Sequence, residues 1–122
     1  MLSRIFSPAY RLFTTSATSA SPATMKLVES AISDNSVTIF SKTTCPFCSS
    51  TKSLFATKFP NVPAKVLELD EIEDGPAIQS YLAQKTGQRT VPNVFVNSEH
   101  IGGNDSTQAA FKSGKLSTML KA

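Results

Sequence analysis

The sequence lacks several features that define other classes of protein. It has 122 residues, with no tryptophan, a single histidine and 2 cysteines. A zinc site takes about four ligands, mostly cysteine and histidine, so this inventory argues against one. There is no run of about 18 apolar residues that could cross a bilayer. The lysines are scattered singly along the chain. We therefore expect no metal, no membrane partner and no nucleic-acid partner.

Acidic side chains are also missing from the first 24 residues. This segment contains Arg4 and Arg11 and is rich in serine and threonine, and Glu29 is the first carboxylate of the chain. Its apolar residues recur at helical spacing around the two arginines. Such a composition is typical of a mitochondrial transit peptide, whereas a disordered tail of this length would usually carry an acid. We therefore predict a targeting segment, disordered or cleaved, over residues 1–24 and a folded domain over residues 25–122.

The targeting segment predicts a location in the mitochondrial matrix. Arg11-Leu12-Phe13-Thr14 resembles the cleavage region of a matrix protease. Met25 stands where the predicted domain begins, so initiation at this residue would yield a second, cytoplasmic form.

Helical and extended patterns alternate after Met25, and the 5 glycines fall at the boundaries between them. Apolar periodicity and turn residues predict the order α, β, α, β, α, β, β, α, α. The predicted segments are a helix around 27–32, strands over 37–40 and 65–70, helices over 46–58 and 76–87, a hairpin over 93–101, and helices from 105 onward, broken at Gly114. A parallel βαβ unit followed by a hairpin and a covering helix predicts an α/β, thioredoxin-like fold. Its helices flank both faces of a four-stranded mixed sheet.

The two cysteines form the motif Cys45-Pro46-Phe47-Cys48, between a predicted strand and a predicted helix. A Cys-x-x-Cys pair at this place in a βαβ unit is typical of thiol–disulfide redox proteins. A purely structural disulfide is the alternative, but a bridge that closes so short a loop restrains the unfolded chain little. We therefore interpret the pair as a reactive dithiol.

The start of the predicted helix makes one sulfur more reactive than the other. Pro46 suits the first helical position, which places Cys45 at the N-cap and Cys48 in the first turn. The Cys45 sulfur then faces free backbone N–H groups and the positive end of the helix dipole, which favour the thiolate. A helix end supplies only about 0.3 to 1 kcal/mol, so we predict that Lys42 contributes a further positive charge. Cys45 is predicted to attack and Cys48 to resolve.

Three short motifs follow one another along the predicted domain. They are Lys42-Thr43-Thr44-Cys45-Pro46-Phe47-Cys48, Thr90-Val91-Pro92 and Gly102-Gly103-Asn104-Asp105. In this order and spacing they resemble the dithiol glutaredoxins of the thioredoxin superfamily, over residues 26–121. The resemblance implies a glutathione-dependent enzyme that reduces protein–glutathione mixed disulfides and some protein disulfides. It also implies glutathione as co-substrate, coupling to glutathione reductase, and a monomer.

The resemblance further implies a glutathione site beside the catalytic Cys45 and Cys48. The implied glutathione-binding residues are Lys42, Cys45, Phe47, Gln79, Thr90, Val91, Pro92, Asp105 and Ser106. A cis peptide before Pro92 is implied, and it would turn the Val91 backbone toward the peptide of glutathione.

Both ends of glutathione carry a carboxylate, and the implied site has donors for each. Lys42 and Gln79 match the family positions at the glycine carboxylate, and Arg89 is a further candidate there. The helix that starts near Asp105 offers free N–H groups to the γ-glutamyl carboxylate. Asp105 and Gln108 together also predict a capping box at the start of that helix.

The sequence departs from the family pattern at two positions. Asp105-Ser106 reverses the usual order of a small hydroxyl residue followed by aspartate, which shifts the side-chain carboxylate by one residue. Phe47 stands where tyrosine is commonest, so the stacking area is kept and the phenol hydroxyl is lost.

Two other functions would also use such cysteines. A thioredoxin is opposed by the absence of tryptophan and by the Pro-Phe pair between the cysteines. The second alternative is a [2Fe–2S] carrier, in which Cys45 of two subunits and two glutathione molecules hold the cluster.

Overall fold

A computed structural model describes residues 20–121 of the chain. The elements are α1 (Pro22–Ser33), β1 (Val37–Ser41), α2 (Pro46–Lys58), β2 (Ala64–Glu68), α3 (Gly75–Thr86), β3 (Asn93–Val96), β4 (Glu99–Gly102), α4 (Asn104–Lys112) and α5 (Lys115–Leu120). The predicted order of helices and strands is confirmed. Across residues 20–121, no helix has both the length and the apolar character that a membrane span requires.

The sheet has four strands in the order β2-β1-β3-β4. Strand β1 pairs in parallel with β2 and antiparallel with β3, and β4 pairs antiparallel with β3. The hairpin between β3 and β4 turns at Asn97 and Ser98, whose φ angles are 50° and 68°. Positive φ at both central residues is what a two-residue hairpin requires to match the strand twist. The sheet is mixed, as predicted.

Apolar side chains alternate across the sheet and build a core on each face. Helices α1 and α3 cover one face, where Val28, Ile78 and Leu82 pack on Phe40 and Phe95. Helices α2, α4 and α5 cover the other face, and its buried residues include Ile39, Leu54, Phe55, Val94 and Leu116. Each fully buried apolar side chain of this size contributes about 1.5–3 kcal/mol. The predicted α/β, thioredoxin-like class, with helices on both faces, is confirmed.

Helix α1 begins earlier than the sequence suggested. Ser21 is its N-cap, and the Ser21 Oγ accepts a hydrogen bond from the Thr24 N–H at 3.1 Å. Pro22 occupies the first helical position and Thr24 is buried. The predicted domain boundary before Met25 therefore falls inside a helix, because a Ser-Pro start signal was hidden in a Ser- and Thr-rich stretch. Most of the predicted targeting segment, residues 1–19, lies outside the described residues.

Candidate active site

Cys45 occupies the N-cap of α2, as predicted. Its backbone is extended, with φ −95° and ψ 117°, and Pro46 takes the first helical position. The Cys45 Sγ accepts a hydrogen bond from the Cys48 N–H at 3.4 Å. The same thiol donates to the Val91 carbonyl oxygen at 3.7 Å. The sulfur therefore lies between the amino end of a helix and the loop that precedes β3.

Several donors favour the thiolate of Cys45. Burial alone would raise the pKa of this thiol, but hydrogen bonds from the Cys48 side chain and from the Cys48 and Phe47 backbone outweigh it. The positive charge of Lys52 lowers the Cys45 pKa further. The net result is a Cys45 pKa below that of an ordinary thiol.

The positive charge that lowers the Cys45 pKa in the structure is that of Lys52, whereas the sequence suggested Lys42. Lys52 follows Cys48 by four residues on α2, which puts both side chains on one face of the helix. Its Nζ lies 2.7 Å from Glu68 Oε2 at the end of β2. Lys42 instead accepts a hydrogen bond from the Cys45 N–H through its carbonyl oxygen, at 3.2 Å. The i, i+4 spacing was the available signal in the sequence.

Cys48 is fully buried beneath Cys45. Burial raises the pKa of Cys48, partly offset by the Lys42 backbone, and the hydrogen bond with Cys45 raises it further. The Ser41 hydroxyl acts in the opposite direction. The Cys45 pKa is thus lowered and the Cys48 pKa raised, which is the order that the predicted division between an attacking and a resolving thiol requires.

A cavity of about 370 Å³ opens beside the Cys45 region. Its lining residues are Phe47, Thr90, Val91, Pro92, Gly103, Asn104, Asp105 and Ser106. The Val91–Pro92 peptide bond is cis, as the resemblance implied. Phe47 is 63% exposed at this rim, an unusual position for a large apolar side chain. The structure thus brings together the predicted residues of α2, of the loop before β3 and of α4.

Lys42 and Gln79 do not line this cavity. Gln79 donates through Nε2 to the Arg89 carbonyl oxygen at 2.8 Å, and both residues border a separate hollow of about 180 Å³. Gln88, which the sequence did not single out, donates through Nε2 to the carbonyl oxygens of Thr90 and Pro92 at 2.9 and 2.8 Å. Gln88 therefore holds the loop that forms one wall of the cavity.

The other wall is the amino end of α4, which begins at Asn104. Its N-cap is Gly103, and no side chain caps the helix, so the predicted capping box of Asp105 and Gln108 was wrong. The N-cap lies two residues before Asp105, so Asp105 is in the first turn of the helix. First-turn backbone N–H groups have no intrahelical acceptor, and they lie where an anion could bind.

Gly102 allows the backbone to pass close to Ser106, a lining residue of the cavity. Its φ is 123°, and a Cβ at this position would lie 3.0 Å from the Ser106 side chain. Only glycine adopts this conformation readily, and only glycine leaves room for Ser106. Gly102 therefore allows the turn from β4 directly into α4.

Hydrogen bonds connect the loop that precedes Cys45 to Asp70, which lies just after β2. The Thr43 N–H donates to Asp70 Oδ1 at 3.0 Å, and the Thr43 hydroxyl donates to the same carboxylate. These bonds hold the pKa of Asp70 below its usual range. No local pattern in the sequence predicts this contact, because Thr43 and Asp70 lie far apart along the chain.

A pair of thiols of unlike pKa at the amino end of a helix, beside a cavity on a thioredoxin-like sheet, defines a thiol–disulfide oxidoreductase. Among residues 20–121, no group of three or more histidine, cysteine, aspartate or glutamate side chains could hold a metal ion. The reactive groups that the site brings together are the sulfurs of Cys45 and Cys48.

Comparisons with known proteins identify the family. The glutaredoxin family model matches residues 37–101. A glutaredoxin from Ricinus communis is 51% identical over 89 residues, which cover 73% of this chain and 85% of the relative. Glutaredoxin-2 from Schizosaccharomyces pombe is 48% identical over 93 residues, covering 76% and 83%. The crystal structure of a buckwheat glutaredoxin–glutathione complex is 42% identical, with a TM-score of 0.76, covering 81% of this chain and 88% of that one.

The chain belongs to the glutaredoxin family, which confirms the resemblance at the level of the family. It is a glutathione-dependent oxidoreductase, and glutathione is its co-substrate.

Proposed function

We propose that this protein reduces protein–glutathione mixed disulfides, and some protein disulfides, through the Cys45 thiolate. The observation that carries the proposal is the position of the Cys45 sulfur. It accepts the Cys48 N–H at 3.4 Å at the amino end of α2 and lies 3.7 Å from Val91, a lining residue of the cavity. An activated sulfur is thus placed beside a space that can hold a small peptide.

In the first step, the Cys45 thiolate attacks the glutathione sulfur of the mixed disulfide. A Cys45–glutathione disulfide forms, the bond to the substrate protein breaks, and the electron pair leaves with the protein thiolate. Glutathione would lie in the cavity, with its peptide along the Val91 backbone. Its γ-glutamyl carboxylate would lie at the first turn of α4.

Two routes complete the reaction. A second glutathione thiolate attacks the glutathione sulfur bound to Cys45, which releases glutathione disulfide and restores the Cys45 thiolate. Alternatively, Cys48 loses its proton and attacks the Cys45 sulfur, which forms the intramolecular disulfide and releases reduced glutathione. Two further glutathione molecules then reduce this disulfide in successive exchanges, which gives glutathione disulfide and restores both cysteine thiols. The burial and raised pKa of Cys48 support the first route as the faster one for mixed disulfides. Glutathione reductase would then recycle the glutathione disulfide.

Two serine variants test this scheme in a glutathione-coupled assay. Cys48→Ser is expected to keep the reduction of glutathionylated substrates and to lose most reduction of protein disulfides. Cys45→Ser is expected to abolish both. Cys48→Ser is the matched control, because it makes the same atomic change three residues away. Equal losses in the two variants would contradict the division of roles.

The location in the mitochondrial matrix, with a second cytoplasmic form from Met25, is also a proposal. Its support is the composition of residues 1–24, which contain two arginines and no acid. A fluorescent fusion of the full sequence is expected to enter mitochondria, whereas the same fusion with Arg4→Glu and Arg11→Glu is expected to stay in the cytoplasm. Mitochondrial import of that variant would contradict the proposal.

A further inference from the structure

A polar contact links the helix of the cysteines to the far wall of the cavity. Thr51, on α2, is fully buried, and its hydroxyl donates to Asn104 Oδ1 at 2.9 Å. Gln108 donates through Nε2 to the same oxygen at 3.2 Å. Asn104 is the first residue of α4 and lines the cavity. Two donors thus converge on one oxygen of a side chain at the candidate site.

These contacts describe the orientation of the Asn104 amide in the structure. Its oxygen faces the Thr51 hydroxyl and the Gln108 amide nitrogen, so its Nδ2 group lies on the other branch. Within residues 20–121, no side chain or carbonyl group pairs with Asn104 Nδ2, and this nitrogen is not among the buried unpaired atoms. The amide therefore has a donor left for a ligand in the cavity.

We infer that Asn104, oriented by Thr51 and Gln108, is a specificity-determining residue that donates from Nδ2 to the γ-glutamyl carboxylate of glutathione. The inference rests on glutathione occupying the cavity in the proposed function. The side-chain donor would add to the backbone N–H groups of the first turn of α4, which recognise the same carboxylate. Thr51 is a positioning residue, since its hydroxyl contacts Asn104 and Thr51 itself does not line the cavity.

If Asn104 Nδ2 binds the γ-glutamyl carboxylate, the enzyme should favour a substrate that has this group over one that lacks it. One is a mixed disulfide with glutathione, and the other is a mixed disulfide with cysteinylglycine, which lacks the γ-glutamyl group. The ratio of their kcat/KM values cancels changes in thiol reactivity, because both reactions use the Cys45 sulfur. A donor to a charged group is worth roughly a tenfold or larger factor in affinity. Loss of Asn104 Nδ2 should therefore lower the ratio by about tenfold.

The test compares full-length parent protein with four variants. Asn104→Ala removes the donor, and Asn104→Asp keeps the shape and the acceptor for Thr51 while replacing the donor by a carboxylate. Asn104→Asp is expected to lower the ratio more than Asn104→Ala, because the introduced carboxylate would repel the γ-glutamyl carboxylate of glutathione. Thr51→Val is expected to lower the ratio by a smaller factor, and Thr51→Ser, which keeps the hydroxyl, should restore the parental ratio.

The outcomes separate this inference from the proposed function. If the parent itself does not favour glutathione over cysteinylglycine, glutathione is not recognised in the cavity, and the proposed function fails. If the parent discriminates and Asn104→Asp keeps the parental ratio, the proposed function stands and the role of Asn104 is wrong. Thermal unfolding of each variant reports folding, and Asn104→Asp should remain folded because an acid suits the first turn of a helix.

Discussion

Removal of the Lys52 charge should affect both stability and thiol chemistry. Lys52 and Glu68 are 30% and 20% exposed, and their ion pair spans 2.7 Å. Among the described residues, Glu68 Oε1 is buried and already lacks a partner. Lys52→Met keeps most of the side-chain stem but leaves this carboxylate with neither oxygen paired. We expect a loss of about 1–3 kcal/mol in the free energy of unfolding, the cost of an unsatisfied buried polar group.

The same substitution should raise the Cys45 pKa, because the Lys52 charge is one of the causes that lower it. A higher pKa leaves less thiolate at neutral pH, so alkylation of Cys45 by iodoacetamide should slow there. The pH at which the rate reaches half its maximum should move upward. The change should be modest, since the hydrogen bonds from Cys48 and Phe47 remain.

Two further variants separate charge from stability. Lys58→Met removes a positive charge from the last turn of the same helix and serves as the control for net charge. Lys52→Met combined with Glu68→Leu removes the unpaired carboxylate, so it should recover much of the stability while the Cys45 pKa stays raised. If the pH profiles of the Lys52→Met and Lys58→Met variants coincide, Lys52 has no special influence on the sulfur, and the reasoning is refuted.

The remaining predictions concern the contact between Asp70 and Thr43, two glycines and the alternative function. The pKa of Asp70 is lowered by its hydrogen bonds to Thr43, so these bonds contribute their full stability above the ordinary aspartate pKa and lose it as pH falls through the lowered pKa. Urea unfolding at a series of pH values should show this loss of stability. The Asp70→Asn variant should no longer show that pH dependence. A Cβ on Gly75 would lie 1.8 Å from the Leu69 carbonyl oxygen, so Gly75→Ala should destabilise the protein by roughly 3 kcal/mol or more in thermal unfolding. Gly87→Ala, at a position with open space, should cost only about 1–2 kcal/mol; equal losses would contradict the steric argument. Anaerobic purification should give a colourless monomer, and a coloured dimer would support the [2Fe–2S] carrier instead.

The sequence predicted best what local signals control. The position of Cys45 at the start of α2 depends on Pro46, its immediate neighbour, and the structure confirms it. The order of strands and helices depends on short-range periodicity, and it is also confirmed. The resemblance to the glutaredoxins supplied the cis peptide before Pro92 and most residues of the cavity, which composition and spacing alone would not have given.

Contacts between distant segments were outside the reach of sequence reasoning. Lys52 pairs with Glu68 on β2, and Thr43 bonds to Asp70 beyond that strand, so neither contact is visible without the packed sheet. The predicted capping box was wrong because Asp105 has suitable chemistry, but the N-cap of α4 lies two residues earlier, at Gly103. Residue type indicates which side chains could cap a helix, whereas the tertiary structure determines the residue at which the helix begins.

The measurement that tests the central claim most directly is the alkylation rate of each thiol across a pH series, with the modified cysteine identified by mass spectrometry. The account predicts that Cys45 reacts first, with a pKa below that of a thiol in an unstructured peptide, and that Cys48 reacts only at higher pH. A Cys45 thiol that titrates like the peptide thiol, or a Cys48 thiol that reacts first, would contradict it.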